Sequence, residues 1–183
     1  MVEVSEFMVS LELAARDRDV TLLSRSEILE SAPKSKCDRQ VRLEASIRIN
    51  GSLRKNGVVP DALFGLQFAD HSSFFMLEID RGEMPIERYR NTYRTYFAKK
   101  MMTYYEASRQ QRQIHDLGLE NFRVLTVTTT PARVEKMLNA LRTITDGRGS
   151  NMFLFADETK LAADHPLNIE WVSGKGELVS LCE

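Results

Sequence analysis

A chain of 183 residues, 43% apolar and 28% charged, is long enough for one domain with its own core and has a globular rather than a disordered composition. No apolar run approaches the roughly 18 residues that span a bilayer, and the N-terminus lacks a basic-then-apolar signal pattern; both point to a cytoplasmic protein without a membrane partner. The net charge of −1 neither demands nor excludes nucleic acid.

Phe7, Met8, Leu11 and Ala15 recur at helical spacing and predict a helix over residues 5–16 with Ser5 as its N-cap. A second short helix is expected over 22–29, then a polar loop over 34–39. The period then changes. Val41, Leu43, Ala45, Ile47 and Ile49 alternate with Arg42, Glu44, Ser46 and Arg48, the pattern of a half-buried strand. Asn50-Gly51 and Asn56-Gly57 both read as turns. A strand over 58–68, opened by Pro60 as suits a strand start or an edge, is expected to pair as a hairpin with a dense apolar strand over 73–80.

A long helix is predicted from Ile86 to His115, followed by a buried parallel strand over 122–128. Thr130-Pro131 opens another helix, whose inner face carries Val134, Met137, Leu138 and Leu141 and which ends by Gly147 and Gly149. A strand over 151–156, a short helix capped by Asp157 and a terminal hairpin over 169–172 and 177–181 complete the chain. This order predicts an α/β fold with a mixed central sheet flanked by helices, residues 1–183 forming a single domain.

Within the predicted hairpin, Glu78 and Asp80 lie two residues apart and so share a face. Asp61 lies 17 positions before Glu78, and a turn near Asp70 brings the two roughly opposite each other. Three crowded carboxylates repel unless a cation neutralises them, and Mg²⁺ or Mn²⁺ is the hard ion that such oxygen donors suit. The three histidines, His71, His115 and His165, and the two cysteines, Cys37 and Cys182, have no metal-ligand spacing; free thiols are expected. On the predicted helix, Tyr93, Phe97, Lys100 and Tyr104 form one stripe, in which Lys100 is the only charge. An inward lysine needs an anion, and the carboxylates or a substrate phosphate would supply it. The same residues admit a plainer reading: Asp61 as a turn residue, Glu78 and Asp80 solvated at a strand end, and Lys100 extended past the rings to water. The basic run Arg81, Arg88, Arg90, Arg94, Lys99, Lys100, Arg109 and Arg112 reads either as a solvated helix face or as a stripe facing phosphates.

The run VVPDA at 58–62, the strand FFMLEIDRG at 74–82, the Lys100-to-Tyr104 helix segment and VLTVTTTPARVEKML at 124–138 together resemble the PD-(D/E)xK nuclease-like domain of the replication-relaxation proteins, a group related to plasmid-mobilisation relaxases. The resemblance covers most of the chain. It implies a restriction-endonuclease-like αβββαβ core, Asp61 and Glu78 as metal-binding carboxylates, and Glu27 as an outer-shell acid. It departs in two ways. Asp80 stands where the standard E-x-K motif has its lysine, which leaves Lys100 as the candidate replacement. Larger relatives carry an upstream winged-helix region, so the chain reads as a nuclease-like domain excised from a longer protein. The function implied is metal-dependent endonuclease or nickase action on DNA in plasmid replication or mobilisation, with Asp61, Glu78, Asp80 and Lys100 catalytic and other replication or mobilisation proteins as further partners. The alternative is an inactive nuclease-like scaffold that docks DNA or protein in a replication initiation complex, favoured by an isoelectric point of about 6.3 and by the missing lysine.

Overall fold

The computed structural model describes residues 2–30, 32, 41–87 and 96–182. Helix α1 (Val4–Arg16) is started by Glu3, not Ser5: Glu3 and Glu6 form a reciprocal capping box, each side chain bonded to the other's backbone N–H. Phe7, Leu11, Ala14 and Ala15 are its buried face. Leu22 and Leu23, expected in a helix, belong instead to edge strand β1 (Thr21–Leu23), where pairing with the sheet outweighs local helix propensity. Helix α2 (Arg25–Glu30) follows directly. The loop expected over 34–39, with Cys37, lies outside the described residues.

Strands β2 (Leu43–Ile49) and β3 (Ser52–Val58) form a separate antiparallel ribbon. Asn50 and Gly51, at φ of 50° and 76°, make its two-residue turn, which needs two positive φ values. Asn56-Gly57 is not a turn; it sits inside β3 opposite Ala45 and Glu44. The strand expected over 58–68 is therefore two, with Val59, Pro60 and Asp61 separating β3 from β4 (Ala62–Gln67). β4 pairs antiparallel with β5 (Ser72–Ile79), in the register Ala62↔Leu77 and Leu63↔Met76.

The long helix predicted from Ile86 is shorter than expected. Ile86 and Glu87 are not helical, and residues 88–95, with Arg88, Arg90, Tyr93 and Arg94, lie outside the described residues. Helix α3 (Phe97–Arg109) ends where Gln111 adopts a left-handed φ of 54°, and α4 (Arg112–Leu117) is a separate turn closed by Gly118. Next come β6 (Arg123–Thr128), α5 (Pro131–Ile144), β7 (Phe153–Asp157), α6 (Glu158–Ala163) and the hairpin of β8 (Trp171–Ser173) and β9 (Leu178–Val179). Asp157 caps α6 as expected, accepting from Thr159 N, and Thr130 caps α5 by accepting from Arg133 N, with Pro131 in the first turn.

The result is an α/β fold whose seven-stranded mixed sheet runs β1-β4-β5-β6-β7-β8-β9, with β5, β6 and β7 parallel and the other neighbours antiparallel. Alternation along the strands divides the core. Leu63, Met76, Val124, Phe153 and Phe155 pack under α2, α3, α5 and the β2–β3 ribbon; Phe64, Phe75, Leu77, Leu125 and Leu154 pack against α1 and Trp171. Glu78, two residues beyond Met76, belongs to the first face. Among the described residues no helix is long and apolar enough to cross a membrane.

Candidate active site

Pro60 ends the ribbon's return strand and cannot donate to a ladder, so the chain re-enters the sheet at Asp61. The Asp61 backbone N–H donates to the Leu77 carbonyl at 2.9 Å, and the Ala62↔Leu77 register continued by one step directs Asp61 toward Glu78. Asp61 Oδ2 accepts from the Ile79 N–H at 2.8 Å, so the exposed carboxylate caps the strand end while lying beside the Glu78 backbone. The turn-residue role and the proximity to Glu78 therefore coexist. Among the described residues Asp61 Oδ1 has no partner.

Glu78 is 1% exposed. Its Oε2 accepts from Lys100 Nζ at 2.5 Å and its Oε1 from the Tyr104 hydroxyl at 2.7 Å. Both donors come from α3, one turn apart, so a single helix face supplies the two groups that hold the carboxylate. Burial pushes the Glu78 carboxyl above its ordinary range; the Lys100 ammonium and the Tyr104 hydroxyl oppose that shift, and the Asp61 charge adds to it. Tyr104, fully buried and facing a carboxylate, is raised well above the usual phenol range and stays a hydrogen-bond donor. The Lys100 side chain is 26% exposed, so the pair is fully buried at Glu78 and only partly buried at Lys100. Lys99 makes no ion pair among the described residues; its carbonyl accepts from the Thr103 hydroxyl.

Asp80 shares the face but not the cluster. Its carboxylate is gripped by the Arg133 guanidinium, through Nε and through NH2 at 2.9 Å, and by the Thr128 hydroxyl at 2.6 Å. Arg133 also donates to the Met84 carbonyl at 2.5 Å, fastening the chain that leaves β5 to the start of α5. Among the described residues no three of His, Cys, Asp and Glu come together as a metal cage. Glu27 does not reach the site as an outer-shell acid: it is exposed, and its carboxylate accepts from the Ser24 N–H at 2.7 Å as the cap of α2. The hydrogen bond from Ser24 holds its carboxyl below the ordinary range.

The donor set that remains, Asp61 with Glu78, fits a hard divalent ion that takes one or two carboxylates and keeps waters for its other positions. Each Glu78 oxygen spends one lone pair on its protein donor and keeps a second. Two participants lie beyond the sequence reading, and a third has a role that reading does not give. Tyr104, on the aromatic stripe and in the segment that carries the resemblance, is the second donor to Glu78; its spacing of four from Lys100 is the signal for this. Arg133 was not paired with Asp80, because the two are 53 positions apart and only the parallel pairing of β5 with β6 joins them. Thr126, the register partner of Glu78, has a buried hydroxyl without a hydrogen-bond partner among the described residues. In comparisons with protein-family models, with curated proteins and with solved structures, the chain matches none.

Proposed function

We propose that the chain is a metal-dependent DNA endonuclease or nickase of the replication and mobilisation type, in which Asp61 and Glu78 hold Mg²⁺ or Mn²⁺ and Lys100 replaces the missing strand lysine. The observation that carries this reading is the 2.5 Å contact between Lys100 Nζ and Glu78 Oε2 directly beside Asp61. Where a standard motif would put a lysine two residues beyond the glutamate, Asp80 is committed to Arg133. A cation arriving from α3 performs the same electrostatic task. With α2, the β2–β3 ribbon and α4 set aside as additions, the chain order α1-β1-β4-β5-α3-β6 is compatible with a restriction-endonuclease-like αβββαβ core, with Pro60-Asp61 opening its second strand and Glu78 near the end of its third.

A bound ion would supply charge neutralisation on the phosphodiester and acidify a water. The protein's own groups do the rest. Tyr104 and Lys100 fix the Glu78 carboxylate from below, and Asp61 is fixed by the Ile79 N–H. The Lys100 ammonium, in a side chain that is only partly buried, would use a second N–H to bond a non-bridging phosphate oxygen as negative charge grows there, stabilising the transition state without a proton transfer.

The second reading, a scaffold without catalysis, is favoured by the closed Asp80–Arg133 pair and by the burial of Glu78. Manganese binding separates the two, measured by calorimetry on the wild type and on Asp61→Ala. The nuclease reading expects a site that weakens at least about tenfold in the variant. Absence of binding to the wild type would leave the scaffold.

A further inference from the structure

The β2–β3 ribbon is a basic part of a chain that is otherwise slightly acidic: residues 42–58 carry Arg42, Arg48, Arg54 and Lys55 against Glu44 alone. Its inner face, Leu43, Ala45 and Ile47, is buried on α3, and its outer half is exposed. Two polar contacts fix it there. The Gln110 side chain bonds both the N–H and the C=O of Ser46, at 3.1 and 2.9 Å, closing the free edge of β2 as another strand would. Asn56 Nδ2 donates to the Thr103 hydroxyl at 2.7 Å. The ribbon and Lys100 are thus parts of one rigid body built on α3.

The cations gather toward the far end. Arg48 and Lys55 lie on the outer face and Arg54 on the opposite one, so positive charge surrounds the tip. Arg54 makes no ion pair or side-chain hydrogen bond among the described residues, and Lys55 is held only by an exposed pair with Glu44. On the outer face, opposite Arg48 and two residues from Lys55, projects Leu53, 66% exposed, an apolar side chain among cations. That combination suits nucleic acid, whose phosphates attract the cations and whose sugars and base edges accept an apolar contact.

We propose that the β2–β3 ribbon is a duplex-DNA arm, gripping phosphates through Arg48, Arg54 and Lys55. It rests on the reading that the chain acts on DNA, and it adds the place where the duplex is held. Six residue steps along β3 put the tip about 20 Å from the Val58 end, which leads into Asp61; that span is roughly six base pairs of duplex. The arm therefore sets where along the DNA the Asp61–Glu78 site falls.

Fluorescence anisotropy with a duplex of about 30 base pairs, in EDTA and between about 50 and 200 mM salt, tests this without cleavage or metal. Removing three phosphate contacts in the triple variant Arg48→Ala, Arg54→Ala, Lys55→Ala should lower the slope of log affinity against log salt by about 2.7. Leu53→Ser should weaken binding with the slope unchanged. Arg54→Glu, at an exposed position without a partner to lose, should reproduce part of the loss even if the triple variant folds poorly. A wild-type slope in the folded triple variant, or no duplex binding by the wild type at the lowest salt, overturns the arm. Duplex binding that needs the arm, in a protein that never cuts DNA, upholds the arm and removes the nuclease reading.

Discussion

Glu78 concentrates the chemistry of the molecule in one side chain. Its burial would be prohibitive for an unpaired carboxylate, and two donors from α3 make it tolerable. Burial still outweighs them in direction: it holds the Glu78 carboxyl above the value near 4.5 that the unfolded chain would show. Between those two values the native protein binds a proton that the unfolded chain releases. This group's contribution to stability is therefore complete below the ordinary glutamate range and declines as pH rises through the raised value. Glu78→Gln should remove that decline. Urea midpoints of wild type and variant across about pH 4 to 7 should show the wild type losing ground to the variant as pH increases; parallel curves would contradict the assignment. Lys100 was legible in the sequence because a lone charge on an aromatic stripe must find an anion. The fate of Asp80 was not, because its partner is distant in sequence.

At the scale of elements, alternation and spacing gave strand faces and most helix positions correctly, and local signals failed where pairing competed with them. The same Asn-Gly dipeptide makes a turn at 50–51 and is absorbed into a strand at 56–57; only the register of β2 with β3 distinguishes them. Leu22 and Leu23 form a strand because β4 offers an edge. The Arg133–Asp80–Met84 junction is the corresponding tertiary device between β5 and α5. Arg133→Ala leaves a buried carboxylate with only the Thr128 hydroxyl, and such broken pairs cost about 3–5 kcal/mol. Chemical denaturation should show a loss of that size, whereas Arg133→Lys, which keeps the charge but not the fork, should lose less. A neutral Arg133→Ala would mean that Asp80 finds water and that the junction is not structural.

The whole molecule is a mixed sheet that uses a β4–β5 hairpin to bring Pro60-Asp61 toward Glu78 and an α3 crossover to hold the Glu78 carboxylate with a lysine and a tyrosine. The sheet class and the Asp61–Glu78 opposition were readable from period-two alternation and a 17-residue separation. The reduction from three carboxylates to two was not, since it depends on an arginine delivered by the next βα unit. Nicking of supercoiled plasmid in Mg²⁺ or Mn²⁺ tests the central claim most directly, comparing wild type with Asp61→Ala, Lys100→Ala and Lys99→Ala. The account predicts relaxed circles from the wild type, none from Asp61→Ala, and a rate lower by on the order of 10²–10³ for Lys100→Ala, with Lys99→Ala near wild type. Equal nicking by wild type and Asp61→Ala, or greater sensitivity at Lys99 than at Lys100, would contradict it.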